Sequence, residues 1–250
     1  MHRFYLPPAE CNVAEPVLRD REAHHALHVL RLRGGEEVVV LDGEGQEVRC
    51  AVRGHERDAV HLEPITRRVM EPRKHAITLL QAIPKGRIIE DIIQKATELG
   101  VARIVPILSE RVVTHLDPES AATKAAKWQM VAVEAIKQCG NPWLPKVVAP
   151  MDPHDFVSRG ESFELPLVGC LEEGSRHPRV WFEEFQKEQK RRPRTLSIWV
   201  GPEGDFSSAE YQLIKQSGAR PVTLGPLVLR TETAATYCLS VLNYELQATA

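Results

Sequence analysis

Near the C-terminus, GPLVLR (Gly225–Arg230) runs straight into TETAATYCLSVLNYEL, so a single arginine stands between an apolar loop and a long apolar helix. A guanidinium placed there can stabilise negative charge that develops on a bound substrate. Two carboxylates lie close enough in the sequence pattern to share its chemistry. Glu232 follows two residues later, and Glu203 sits in a second glycine-proline loop, GPEGD (Gly201–Asp205). Either could take a proton, as could water. Each has a plainer role too: Glu232 complements the dipole at a helix start, and Glu203 braces its own loop through backbone N–H groups. Gly201, Gly204 and Gly225 let the backbone approach a ligand or take a positive φ, while Pro202 and Pro226 stiffen the loops. Turns are normally polar, yet the second loop offers Leu227, Val228 and Leu229. Apolar residues at a strand end suit the walls of a pocket for a flat, partly apolar ligand such as an adenine ring. No GxGxxG or GxxxxGK[ST] follows a strand, so a cofactor without phosphates is preferred over a dinucleotide or a nucleoside triphosphate.

These loops need strands and helices to hold them. From His75 onward, strand-like and helical patterns alternate. HAITLLQAI, ARIVPIL, KVVAP, ELPLVGCL, TLSIWV and RPVTL read as strands. KGRIIEDIIQKATELG puts Ile89, Ile92, Ile93, Ala96 and Leu99 on one helical face and closes at Gly100. DPESAATKAAKWQMVAVEAIKQCG opens with Asp117 as N-cap and Pro118 at the first position, and ends at Gly140. WFEEFQKEQK is a further helix, and Ser207 with Glu210 forms a capping box for the helix that Gly218 ends. In the last helix Ala235, Leu239, Leu242 and Leu246 form a stripe with Ala234, Cys238 and Val241 beside it, too wide for a helix open to water. Such alternation predicts an α/β domain with a mostly parallel sheet covered on both faces. In such a sheet, ligands bind outside the carboxyl ends of the strands, where both special loops fall.

The first 70-odd residues read differently, as a small β-rich module. EEVVVLDG (Glu36–Gly43) and QEVRCAVRG (Gln46–Gly54) are strand-like with a turn at Asp42-Gly43, and DAVHLEPIT (Asp58–Thr66) is a third candidate. DREAHHALHVLRLRGG (Asp20–Gly35) predicts one helix with Ala23, Leu27 and Leu30 on a stripe, closed by Gly34. Arg67–His75 reads as a linker, which sets the boundary between residues 1–72 and 73–250.

Composition narrows the class. The 250 residues include 43% hydrophobic and 26% charged types, enough for a sizeable core, and no apolar run approaches a membrane span. The start, MHRFYLPPAECNVAEP, lacks the apolar core and cleavage site of a secretory signal, so a cytoplasmic location is expected. Five cysteines without a CxxC predict free thiols, most of them buried, rather than disulfides or zinc. His24, His25 and His28 share a helix but lack a third ligand at a metal-binding spacing, so no metal is expected. The net charge of −2 announces no nucleic-acid partner. Residues 1–75 carry 12 bases against 13 acids, but eleven of those bases are arginine, the side chain that best suits phosphate oxygens.

WVGPEGDFS…E followed by VTLGPLVLRTETAA resembles the signature of the RsmE family, ribosomal RNA uridine N3-methyltransferases of the SPOUT superfamily. HRFYL, HHALHVLRLRGGEEVVVLDGEG, QAIPKG, IIQKATELGVARIVPILSERVV and EAIKQCGN fall where that family has similar segments, so the resemblance covers nearly the whole chain. It implies a PUA-like β-barrel at the N-terminus (1–72) that binds RNA, and a trefoil-knotted α/β domain (73–250). It further implies S-adenosylmethionine as cofactor, a homodimer whose interface helps build each active site, and 16S ribosomal RNA, within the small ribosomal subunit, as partner. The cofactor residues it implies are Leu171, then Val200, Gly201, Pro202, Glu203 and Gly204, and in the second loop Leu224, Gly225, Val228, Leu229 and Thr231. Arg230 with Glu232 or Glu203 would carry the chemistry, and Arg3, Arg31, Arg33 and Lys85 would touch RNA. Three positions depart from the family pattern: Asp205 for a glycine, and Leu227 and Asn141 where arginines are common. They imply adjusted RNA contacts with the cofactor loops intact. Competing readings are a SPOUT enzyme acting on transfer RNA or a ribose hydroxyl, and a non-catalytic RNA-binding assembly factor. A dehydrogenase is disfavoured by the missing glycine fingerprint.

Overall fold

The computed structural model describes residues 1–111, 117–171 and 174–247. Its contacts divide the chain into two compact units: residues 1–72 with 133–144, and residues 73–132 with 145–250.

In the first unit the elements run β1 (His2–Tyr5), α1 (Pro8–Cys11), β2 (Val17–Arg19), α2 (Asp20–His24), a π-helical turn (His25–Val29), β3 (Glu37–Leu41), β4 (Gln46–His55) and β5 (Ala59–Val69). The strands form one sheet in the order β1-β3-β4-β5-β2, with only the β1–β3 pair parallel. Register shifts at Arg49/Cys50 and Val52/Gly54 mark bulges in the long β4–β5 pair, the usual device for bending a sheet. Phe4, Leu18, Val38, Val40, Val48, Val52 and Leu62 fill the core of the unit. Residues 133–144 join it through a buried ion pair, Lys137 Nζ to Glu22 Oε1 at 2.8 Å.

Two sequence expectations fail here for physical reasons. The helix expected over 20–35 ends at Val29 with Leu30 as its C-cap, and the left-handed residue that turns the chain is Arg31 (φ 57°), not Gly34. Leu32 is buried in the core, and reaching it takes the chain out of the helix before Gly34. The segment Arg67–His75 is not all linker, because β5 continues through Val69. There Arg67 donates to the carbonyls of Cys11 and Val13 at 3.0 and 2.7 Å.

From Ala76 on, strands and helices alternate as the sequence predicts, with the short α5 in addition: β6 (Ala76–Ala82), α3 (Ile88–Glu98), β7 (Arg103–Ile107), α4 (Pro118–Cys139, its residues from 133 on counted with the first unit), β8 (Lys146–Val147), α5 (Pro153–Ser158), β9 (Leu165–Gly169), α6 (Pro178–Gln189), β10 (Thr195–Val200), α7 (Ser208–Gln216), β11 (Arg220–Val222) and α8 (Thr231–Gln247). Every pair in the second unit's six-stranded sheet, ordered β11-β9-β10-β6-β7-β8, is parallel. Alternate residues of each strand face opposite layers. Leu80, Ala82, Val105 and Trp199 pack with Phe156 of α5 and Tyr211 and Ile214 of α7. The opposite layer includes α8, which packs on β10, α3 and α6, with Ala235, Leu239 and Leu242 buried. Asp117 caps α4 by accepting from Ser120 N at 2.9 Å, and the Ser207–Glu210 capping box opens α7.

Candidate active site

Strands β11, β9 and β10 lie side by side and parallel, so their carboxyl ends open at one edge of the sheet. The loops leaving those three ends enclose a cleft. Of the residues implied for the cofactor, Leu171, Val200, Gly201, Pro202, Glu203, Leu224, Val228, Leu229 and Thr231 line it, together with Gly169, Cys170, Asp205, Leu227 and Ala234. Gly204 and Gly225 lie in the same loops but not on the wall. Gly225 has φ 104°, which only glycine adopts readily, and this turns the loop so that Leu227 and Val228 stand out (71% and 79% exposed).

The first loop is held from several sides. A Cβ on Gly201 would meet Asp205 Oδ1 at 2.6 Å and the Asp205 backbone at 3.2 Å, so the loop closes tightly only because residue 201 has no side chain. Asp205 itself is left-handed, with φ 61°. Aspartate tolerates that region better than most residues, and its Oδ1 accepts from Phe206 N at 2.8 Å. The departure from glycine at this position therefore keeps the backbone shape. Pro202 O accepts from Asp205 N at 2.9 Å, Arg111 donates to Gly204 O, and Glu203 Oε1 accepts from Lys85 N at 3.1 Å. Glu210, beyond its capping role, accepts from Ser109 Oγ and Glu110 N, fastening α7 to the loop after β7.

The second loop delivers Arg230 to the start of α8, where its carbonyl accepts from Ala234 N at 2.8 Å. The Arg230 side chain is exposed, and no acceptor among the described residues pairs with it. It stands between Leu229 and Thr231, both of which line the cleft. Glu232 is half-buried in the first turn of α8, and its side chain has no hydrogen-bond partner among the described residues. Lys85 is brought beside the first loop by its backbone, through Glu203. Gln81, which sequence pattern alone does not single out, is a fully buried amide in the apolar strand β6 and donates to Thr231 Oγ1 at 2.9 Å. A polar side chain near the carboxyl end of a buried strand was the available signal.

In the first unit, Arg31 borders a groove with Leu27, His28, His55, Glu56 and Arg57. Arg33 is exposed nearby in sequence, and its N–H donates to Glu36 Oε2. Arg3 spends two donors on the carbonyls of Lys137 and Gln138, at 3.3 and 3.1 Å, at the end of α4. Among the described residues, one group could bring three metal-ligand atoms together: Asp152, His154 and Asp155, all exposed and none of them lining the cleft. No described helix is long and apolar enough to cross a membrane.

Comparison with known proteins adds the following. A family model described as an RNA methyltransferase domain matches residues 71–243, and one described as an RNA methyltransferase PUA domain matches residues 18–65. The ribosomal RNA small subunit methyltransferase E of Aquifex aeolicus is 32% identical, over 97% of this chain and 99% of its own length. A methyltransferase of Legionella pneumophila, solved with bound cofactor SAM, superposes with a TM-score of 0.85 at 31% identity, over 97% of this chain and 96% of that one. The ribosomal RNA small subunit methyltransferase E of Neisseria gonorrhoeae, solved bound to S-adenosyl methionine, gives 0.83 at 27% identity, over 98% and 97%.

Proposed function

Because this chain belongs to the ribosomal RNA small subunit methyltransferase E family, we propose that it transfers a methyl group from S-adenosylmethionine to N3 of a uridine in 16S ribosomal RNA. It is an S-adenosylmethionine-dependent ribosomal RNA methyltransferase. The observation that carries the finer reading is an apolar cleft with an exposed arginine beside it that no described residue pairs.

The cleft fits the cofactor by its chemistry. Leu171, Val200, Leu224, Leu227, Val228 and Leu229 supply apolar wall for an adenine ring, and the bent loops leave backbone polar atoms to orient it. S-adenosylmethionine, when bound, supplies a methyl group made electrophilic by its positive sulfur. The protein's own share is alignment and exclusion of water. Uracil N3 becomes a nucleophile only when its proton leaves, and the negative charge then spreads onto O2 and O4. Arg230, held at the helix start with no carboxylate among the described residues paired to it, stabilises that charge and so lowers the cost of deprotonation. Glu232 is the better candidate base, because Glu203 already spends one oxygen on the Lys85 N–H.

The PUA domain supplies RNA contacts through Arg31 and Arg33, with Lys85 reaching from the loop after β6, whereas Arg3 keeps two donors on backbone carbonyls. Exposed Leu227, Val228, Tyr237 and Tyr244 leave apolar surface that a second copy of the chain would cover, which supports the homodimer. The trefoil threading, the boundary at residue 72, the small-subunit context and a cytoplasmic setting belong to the same proposal. Nucleoside mass spectrometry of 16S ribosomal RNA from a deletion strain tests it. Loss of 3-methyluridine alone is the expected result, and an unchanged base with a missing ribose methyl group refutes it.

A further inference from the structure

Behind the cleft wall lies a hydrogen-bond chain with an unusual imbalance. Gln81 is fully buried at the carboxyl end of β6, opposite Val200 of β10 in the sheet register. Its Nε2 donates to Ala82 O and to Thr231 Oγ1, both at 2.9 Å. Thr231 Oγ1 in turn donates to Gly201 O at 2.7 Å, so its lone pair must receive the Gln81 hydrogen. The amide cannot be turned round, since its oxygen would then face the Ala82 carbonyl. Both amide hydrogens are thus spent, while Oε1 is buried without a partner among the described residues. A buried, unsatisfied acceptor is a cost that stability alone would not retain.

We propose that Gln81 and Thr231 are positioning residues that pin the start of α8, and with it Arg230, onto the carbonyl of Gly201. The effect falls on the arginine more than on the cofactor loop. The first loop has independent anchors: the Asp205 contact, the Pro202–Asp205 turn, the Arg111 bond to Gly204 and the Glu203 bond to Lys85. The first residue of α8 has one side-chain tether to the sheet, and it runs through Thr231. Small displacements of a charge-stabilising group reduce turnover steeply, whereas loosely coupled cofactor contacts change little.

This inference rests on the reading that Arg230 faces the uracil, and the test separates the two. Turnover on small-subunit particles and calorimetric affinity for S-adenosylmethionine are measured for Gln81→Met, Thr231→Val, the double variant, Thr231→Ser and Arg230→Ala, with melting temperatures. Gln81→Met keeps the shape and removes the unsatisfied oxygen, but it also takes the Gln81 hydrogens from Ala82 O and Thr231 Oγ1, so its melting temperature falls modestly and turnover is compared at a temperature where every variant is folded. The kcat of Gln81→Met falls roughly tenfold with cofactor affinity changed less than about threefold, because Gln81 is not on the cleft wall; kcat falls at least as far in Thr231→Val, whose side chain also lines the cleft. The double variant falls no further than the worse single, because both cut one chain. Thr231→Ser, which keeps the hydroxyl, recovers most of what Thr231→Val loses. Additive losses, a collapse of cofactor affinity that explains the whole effect, or full turnover in Gln81→Met with Arg230→Ala inactive each overturn the proposal. Full turnover in Arg230→Ala overturns the reading beneath it instead.

Discussion

Asp205 occupies a backbone angle, φ 61°, that most side chains avoid. Its type was legible as a departure from a glycine pattern, but its reason was not, because sequence reports residue types and not dihedral angles. The structure supplies the reason: aspartate tolerates the left-handed region and its carboxylate closes on Phe206 N. Asp205→Gly is expected to be tolerated within about 0.5 kcal/mol, since relief of strain offsets the lost hydrogen bond. Asp205→Val, β-branched at a positive φ, should cost about 1–2 kcal/mol in urea denaturation, and an unchanged midpoint would refute the account of this loop. Arg230 was legible for the opposite reason. An arginine isolated between an apolar loop and a helix start has few structural uses, and in the structure no acceptor among the described residues engages it.

At the scale of elements, periodicity located the parallel strands and most helices of the second unit, because buried strands read as apolar runs and helices as stripes with caps. It failed where tertiary contacts override local pattern. Burial of Leu32 ends the helix early in the first unit, and the short α5 and the strands β1 and β2 carry too few residues for a period to show. The Ser207–Glu210 capping box was legible from spacing alone, but not the second job of Glu210. Its carboxylate accepts from Ser109 Oγ at 3.1 Å and Glu110 N at 2.8 Å, a hundred residues away in the chain. Glu210→Ala therefore leaves the Ser207 Oγ cap in place but removes the reciprocal half of the capping box, stranding Ser207 N together with Ser109 Oγ and Glu110 N. The expected loss is about 2–4 kcal/mol, above the ~1 kcal/mol of a cap alone, read as a drop in the thermal midpoint. A loss no larger than a cap's would show that the tie to the β7 loop adds nothing.

For the whole molecule, two bulk properties follow from named groups. Glu164 accepts two hydrogen bonds from Arg191 (2.7 and 2.8 Å) and one from Arg194 N. Chiefly through Arg191, these hold its carboxyl down at about 2, against an ordinary 4.5. A depressed carboxylate stabilises the folded state above its unfolded value and loses that contribution as pH falls through the folded one. Glu164→Gln should thus be less stable than wild type at pH 7, with the gap closing between about pH 4.5 and about pH 2; a gap independent of pH would contradict the pairing. Of the five cysteines, Cys11, Cys50, Cys170 and Cys238 are buried and Cys139 is exposed, and burial pushes the Cys238 thiol up to about 12. One thiol per chain should react rapidly with a disulfide reagent, rising to five on unfolding.

The central claim joins these scales: a cleft at three strand ends presents a methyl donor, and Arg230 beside it stabilises the nucleophile. Purified small-subunit particles, labelled S-adenosylmethionine, and the wild-type and Arg230→Ala proteins test this directly. The account predicts label in 3-methyluridine of 16S ribosomal RNA with wild type, and at least about a hundredfold slower transfer by Arg230→Ala with cofactor binding kept. Equal transfer by both proteins, or label on a ribose, would contradict it.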